Sequence, residues 1–125
     1  AGERPRRVLG IDASARIDET RDAVARIARD TAERIELGRA LRDDEIEVLE
    51  GYAGERYGVP VAQTLDAIRL AGRLEGMVCD PVYEGKSMAG LVGLVGDGTI
   101  PAGATVLYVH LGGAPALNAY SALFD

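Results

Sequence analysis

Several residue types are nearly missing from this sequence. Cysteine, histidine and lysine occur once each, as Cys79, His110 and Lys86, and tryptophan is absent. A single cysteine excludes an intrachain disulfide and a cysteine-rich metal cluster. One lysine leaves one candidate for any chemistry that needs an amine, unless that amine lies elsewhere. No apolar run approaches the ~18 residues of a membrane span. Acids outnumber bases by 20 to 14, a net charge of -6. With its arginines dispersed, such a chain is not expected to bind nucleic acid. Ala1-Gly2-Glu3-Arg4-Pro5-Arg6-Arg7 leads into no signal core, so secretion has no support and a cytoplasmic location is expected.

What is present describes one globular domain. The 125 residues are 47% hydrophobic and 27% charged, which suits a packed core. The 16 glycines are an excess. Alanine opens the chain and Phe124-Asp125 closes it without a polar tail, so a piece of something longer is expected.

Periodicity predicts alternating elements. Val8-Leu9-Gly10-Ile11-Asp12 reads as a buried strand. A helix capped by Asp18 or Thr20 follows, with Val24, Ile27, Ala28, Thr31 and Ile35 on one face, stopping near Gly38. Arg26/Asp30, Arg29/Glu33 and Asp30/Arg34 are spaced for surface ion pairs. The acidic stretch Asp43–Glu50 suits a short charged strand around Ile46 and Val48 better than a calcium loop. Gly51–Pro60 is loop chemistry. A helix over 61–74 presents Leu65, Ile68, Ala71 and Gly72. Gly76–Pro81 reads as a strand, and a helix after Gly85 carries Met88, Leu91, Val92 and Val95. Thr105–His110 is the strongest strand signal. A last helix runs from Ala116 to Leu123. Four strands alternating with four helices imply an α/β fold with a mainly parallel sheet in three α/β/α layers. Ligands in such folds sit at the carboxyl ends of the strands. The loops Asp80–Ser87 and His110–Pro115 lie there, and the Tyr57 loop is a third candidate.

Two apparent motifs fail on inspection. Gly85-Lys86-Ser87 looks like the end of a phosphate loop, but Asp80 stands where the pattern needs glycine. Gly93, Gly96 and Gly98 follow no strand, so they form no dinucleotide fingerprint. Lys86 at a helix start is expected to be solvated rather than nucleophilic. His110 is expected to be a core or hydrogen-bonded residue rather than a catalytic base. Tyr83-Glu84 is more informative, because a glycine-flanked phenol and carboxylate leave room for a flat ligand. Surface turn residues explain the pair equally well.

Four blocks then match one family in order. Gly10-Ile11-Asp12-Ala13-Ser14-Ala15, Tyr57-Gly58-Val59-Pro60, Asp80–Leu91 and Val106–Tyr120 together resemble the fold-type II (tryptophan synthase β-like) pyridoxal-phosphate enzymes related to 1-aminocyclopropane-1-carboxylate (ACC) deaminase. The resemblance covers nearly the whole chain. It implies that residues 1–125 are the C-terminal part of the large cofactor-binding domain. The family's Schiff-base lysine and cofactor-phosphate loop would then lie upstream, and Lys86 is not that lysine. It also implies that Glu84 partners the cofactor's pyridine nitrogen, that Tyr57 and Tyr83 are catalytic residues facing the substrate, and that Leu111, Gly112 and Gly113 bind beside the cofactor ring. A carboxylate there favours a protonated ring, a stronger electron sink. D-cysteine desulfhydrases resemble this family throughout but tend to carry a hydroxyl residue where Glu84 stands and threonine where Leu111 stands. Both positions favour the deaminase. The implied protein is a homo-oligomeric hydrolytic deaminase of a small amino acid, with the 125 residues inactive alone. No metal and no membrane association are implied.

Overall fold

The computed structural model describes residues 6–124. Strand β1 (Leu9–Ile11) is followed by helix α1 (Ile17–Arg34), strand β2 (Glu47–Leu49), and helices α2 (Ala62–Glu75) and α3 (Glu84–Gly96). Short 3-10 segments cover Asp43–Glu45 and Ala114–Leu123. The fold is α/β. Its sheet is a parallel pair with Leu9 opposite Glu47, Gly10 opposite Val48 and Ile11 opposite Leu49.

The first two expected strands form. Among the described residues the last two do not. Segments 76–80 and 104–110 run without helix or strand ladder. Segment 104–110 is rich in β-formers, whereas 76–80 has only Val78 among them, and such residues make a strand only beside a partner that takes up their N–H and C=O groups. Val106, Leu107 and Val109 are exposed, Leu107 at 87%. The expected helix from Ala116 is replaced by 3-10 turns that begin at Ala114, just after the left-handed Gly113.

Two helix faces also differ from expectation. Helix α1 starts directly after Arg16, without a side-chain cap. The Thr20 hydroxyl is drawn instead to Asp12 Oδ1 at 3.0 Å. Val24, Ile27 and Ile35 face outward, Ile35 at 64% exposure, and α1 ends four residues before Gly38. Arg26 pairs with Asp30 at 3.8 Å, but Arg29 turns away from Glu33 to Asp43. In α3, Val92 and Val95 are exposed, whereas Gly85, Met88, Ala89, Gly90 and Leu94 are buried.

Glycine explains the burial of α3. A Cβ on Gly85 would lie 2.6 Å from Ile68 Cδ1 and 2.9 Å from the Asp80 carbonyl oxygen. A Cβ on Gly90 would lie 2.6 Å from Ile11 Cδ1. Bare backbone at these two turns lets α3 press on α2 and on β1 together. The core beneath is small: Ala67, Ile68, Ala71, Cys79, Met88 and Ala89, with Tyr52, Met77, Leu91, Tyr108 and Phe124 at its edge. The carboxyl end of α2 turns on Gly76 at φ +65°.

Because a backbone atom blocks it, Gly85→Ala cannot be absorbed by a rotamer change. Overpacking of this kind costs about 1–3 kcal/mol. The expected result is a lower thermal midpoint in the full-length protein, measured by calorimetry, with Gly96→Ala, which meets nothing within 4 Å, staying near the parent.

Candidate active site

The start of α3 is built around one carboxylate. Asp80 is fully buried. Its Oδ1 accepts the N–H groups of Val82 at 2.7 Å and Tyr83 at 2.9 Å, and its Oδ2 accepts that of Glu84 at 3.0 Å. The Asp80 carbonyl accepts Gly85 N–H at 2.7 Å. A helix start has free N–H donors that attract anions. Here an aspartate of the chain already takes them, which is why Gly85-Lys86-Ser87 is no phosphate loop.

This capping fixes Glu84, which is 4% exposed. Its Oε1 accepts Leu111 N–H at 2.7 Å, and its Oε2 lies 3.1 Å from the Tyr108 hydroxyl. The turn carrying Leu111 passes over the helix start on two glycines, Gly112 at φ +111° and Gly113 at φ +95°. A Cβ on Gly113 would sit 2.5 Å from Asp80 Oδ2, so this turn and the cap require each other. The side chain of Leu111 is 85% exposed.

Tyr83 precedes Glu84 and is half-exposed, as is Tyr57. Their hydroxyls are hydrogen-bonded to each other, and the rings meet edge to face at 5.9 Å between centroids. That bond holds the Tyr57 phenol above its usual pKa. The Tyr57 loop is tied down from the carboxyl end of the chain, where the Tyr120 hydroxyl donates to the Gly58 carbonyl at 2.7 Å. All six residues singled out above thus lie on or beside two turns at one end of α3, with the Tyr57 loop reaching in.

Lys86 differs from expectation. It is fully buried rather than solvated, and its Nζ donates to the Ala13 carbonyl at 3.0 Å. Burial lowers its pKa against the pull of Asp12 and Asp80. His110 is hydrogen-bonded, as expected, with Nε2 3.0 Å from the Val78 carbonyl. A carbonyl can only accept, so Nε2 carries the proton.

Sequence reasoning missed Tyr108 and Ser87. Ser87 Oγ lies 2.6 Å from the Tyr108 hydroxyl. The signal available was spacing: Ser87 is three residues after Glu84 on one helix, hence on its face. Cys79, Glu84 and His110 also bring ligand atoms within 4.8 Å of one another. Leu111 and Tyr108 occupy Glu84, Val78 occupies His110, and burial beside Glu84 and Asp80 pushes the Cys79 thiol up to about 11. These partners account for Glu84 and for the exposed His110, and the protonated thiol for Cys79, without a metal ion.

The family model described as "Pyridoxal-phosphate dependent enzyme" matches residues 2–112. The chain belongs to that family. It is 60% identical over 121 residues to a 1-aminocyclopropane-1-carboxylate deaminase of Methylobacterium sp. (strain 4-46), covering 97% of this chain and 36% of that protein. Proteins of the same description from Ralstonia nicotianae and Pseudomonas syringae pv. tomato are 56% and 54% identical over 124 residues, 99% of this chain and 37% of each relative. The chain therefore spans about a third of the length of these relatives. The family's cofactor is pyridoxal phosphate, and the residues present suit its ring. Each Glu84 oxygen holds one donor and keeps acceptor capacity. Leu111 offers exposed apolar surface beside it, and Gly112 leaves the backbone bare, with nothing within 4 Å of an added Cβ.

The Cys79 thiol ionises only as pH rises through about 11, so it stays protonated at neutral pH. Alkylation of the full-length protein by iodoacetamide near pH 8 should run at least about a hundredfold slower at Cys79 than for a free thiol. Peptide mapping across a pH series reads this directly.

Proposed function

We propose that this chain is the C-terminal part of the large cofactor-binding domain of an ACC deaminase. Such an enzyme opens the cyclopropane ring and, with water, releases 2-oxobutyrate and ammonia. The observation that carries the reading is the buried carboxylate of Glu84, fixed by Leu111 N–H and directly following the exposed phenol of Tyr83. The relatives described as ACC deaminases support it at 54–60% identity. In the whole enzyme, segments 76–80 and 105–110 would find strand partners and complete a three-layer α/β/α domain. The exposed β-formers Val78, Val106 and Val109 support that. The buried, unpaired Cys79 accords with a reducing, cytoplasmic compartment. A homo-oligomer is part of the same reading.

Bound in this domain, the cofactor supplies an electron sink for charge developing on the substrate carbon. The chain's own residues would do the rest. Glu84 would accept the ring N–H and favour the cationic nitrogen. A hydroxyl residue there gives a weaker sink, suited to expelling a good leaving group such as sulfide. Ring opening has no such leaving group, so it needs the carboxylate. Leu111 and the bare backbone of Gly112 and Gly113 would offer apolar and close-approach surface to the ring. Tyr57 and Tyr83 face the substrate. Because their hydroxyls are bonded to each other, a proton taken up at one oxygen can be passed from the other.

Lys86 has no place in this chemistry. It is the chain's one lysine, buried against Ala13. The 125 residues alone should therefore be inactive, and borohydride treatment with pyridoxal phosphate should attach no stoichiometric cofactor at Lys86 by mass spectrometry.

The deciding experiment is a keto-acid assay on the full-length, cofactor-loaded protein with ACC, beside Glu84→Ser. The parent should produce 2-oxobutyrate, and the variant should lose on the order of a hundredfold in kcat, as expected for removing a charged hydrogen-bond partner. A parent silent on ACC that releases sulfide from D-cysteine would instead be a D-cysteine desulfhydrase.

A further inference from the structure

Glu84 is surrounded by groups that carry or lack charge for identifiable reasons. Three backbone N–H donors take up the Asp80 carboxylate. Cys79 keeps its proton. His110 Nε2 lies 3.9 Å from Glu84 Oε2 but spends its proton on Val78. Leu111 donates from its backbone, so no substitution short of proline removes that bond. Tyr108 is the one side-chain donor within hydrogen-bond distance of the carboxylate among the described residues.

Counting protons settles how Tyr108 points. Its hydroxyl oxygen lies 3.1 Å from Glu84 Oε2, 3.0 Å from the Glu84 carbonyl and 2.6 Å from Ser87 Oγ. Ser87 Oγ in turn lies 3.0 Å from the same carbonyl. Two hydroxyl protons must serve these contacts. The Glu84 carbonyl sits in the first turn of α3 and takes the helix N–H four residues on. The carboxylate oxygen Oε2 has no such partner. If Tyr108 donated to Ser87, its lone pairs would face Oε2 and repel it. In the satisfied arrangement Ser87 donates to Tyr108, and Tyr108 donates to Glu84 Oε2. Burial holds the Tyr108 phenol above its usual pKa, so it stays a donor.

We propose that Tyr108, backed by Ser87, is a positioning residue that sets the basicity of Glu84 and thereby the protonation of the cofactor's ring nitrogen. This rests on the reading of Glu84 as the ring's partner. A donor withdrawn from a carboxylate raises its proton affinity. Without the Tyr108 hydroxyl, the proton shared between ring nitrogen and Glu84 moves toward Glu84, and the electron sink weakens. Tyr108 is thus a position at which sequence can tune the sink without touching the carboxylate itself.

The test uses Tyr108→Phe and Ser87→Ala in the full-length protein loaded with nitrogen-15-labelled cofactor. The ring-nitrogen resonance reads protonation directly and needs no substrate. In Tyr108→Phe it should move toward the unprotonated position, and kcat should fall about tenfold, the effect of one charged hydrogen bond, with KM little changed. Ser87→Ala should move both in the same direction by less. Phenylalanine keeps the packing, and should it fail to fold, Ser87→Ala carries the test alone. A lower kcat with an unmoved resonance would make Tyr108 merely structural and overturn the proposal. An unprotonated ring nitrogen in the parent would remove the premise about Glu84 and the proposal with it. A moving resonance in a protein that does not open ACC would uphold the proposal and reject the substrate instead.

Discussion

Three backbone N–H groups at the start of α3 converge on the Asp80 carboxylate, and the geometry of the site depends on that convergence. Hydrogen bonds to a charged acceptor are worth about 1.5–3 kcal/mol each, and a buried carboxylate left without them would be strongly unfavourable. The cap orients the first turn of α3, and so aims Glu84 inward and Tyr83 outward from adjacent positions. Gly113 then closes over Asp80 at a distance no other residue permits. Leu111, two residues earlier, arrives with its N–H on Glu84. One buried aspartate thereby positions the carboxylate, a phenol and the glycine turn.

The remaining constraint is close packing of α3. Gly85 and Gly90 have no side chain, so α3 approaches Ile68 of α2 and Ile11 of β1 closely enough to bury its first two turns. The glycine content that stood out in the composition is partly this. It is also the left-handed backbone at Gly112 and Gly113, where φ exceeds +90°. A helix packed this tightly resists tilting, and tilt is what would carry Glu84 away from Leu111 and Tyr108.

Much of this was legible in sequence, but unevenly. Helices α2 and α3 came from periodicity, and the rejection of a phosphate loop came from Asp80 alone. The outward faces of α1 and of the end of α3 were misread. Apolar spacing shows which residues share a face, not whether anything lies against it. The segments around Cys79 and Tyr108 were read as strands, the second because its residues favour strands, yet strand formation is a property of a pair. Local spacing also gave no view of the contact between Tyr108 and Glu84, 24 residues apart. The hydroxyl-to-carboxylate chain exists only once the 105–111 segment lies against α3. The family resemblance pointed to Glu84 and the two tyrosines, but it said nothing of what holds Glu84.

Lys86 shows how the same helix turn is secured from its other side. A fully buried ammonium is costly, and burial lowers its pKa. Two features offset the cost. The charges of Asp12 and Asp80 favour the cation, and the Ala13 carbonyl takes one of its protons. Asp12 is itself fixed by Ser14 and Thr20, whose hydrogen bonds outweigh its burial and hold its carboxyl below the ordinary value. The end of β1 and the start of α3 are thus joined through a cation between two fixed anions. That arrangement accounts for the chain's one lysine without any chemical step. An amine hydrogen-bonded to the Ala13 carbonyl, in the field of two carboxylates, serves as a structural tie, while the residues that would face cofactor and substrate lie on the turns around Glu84.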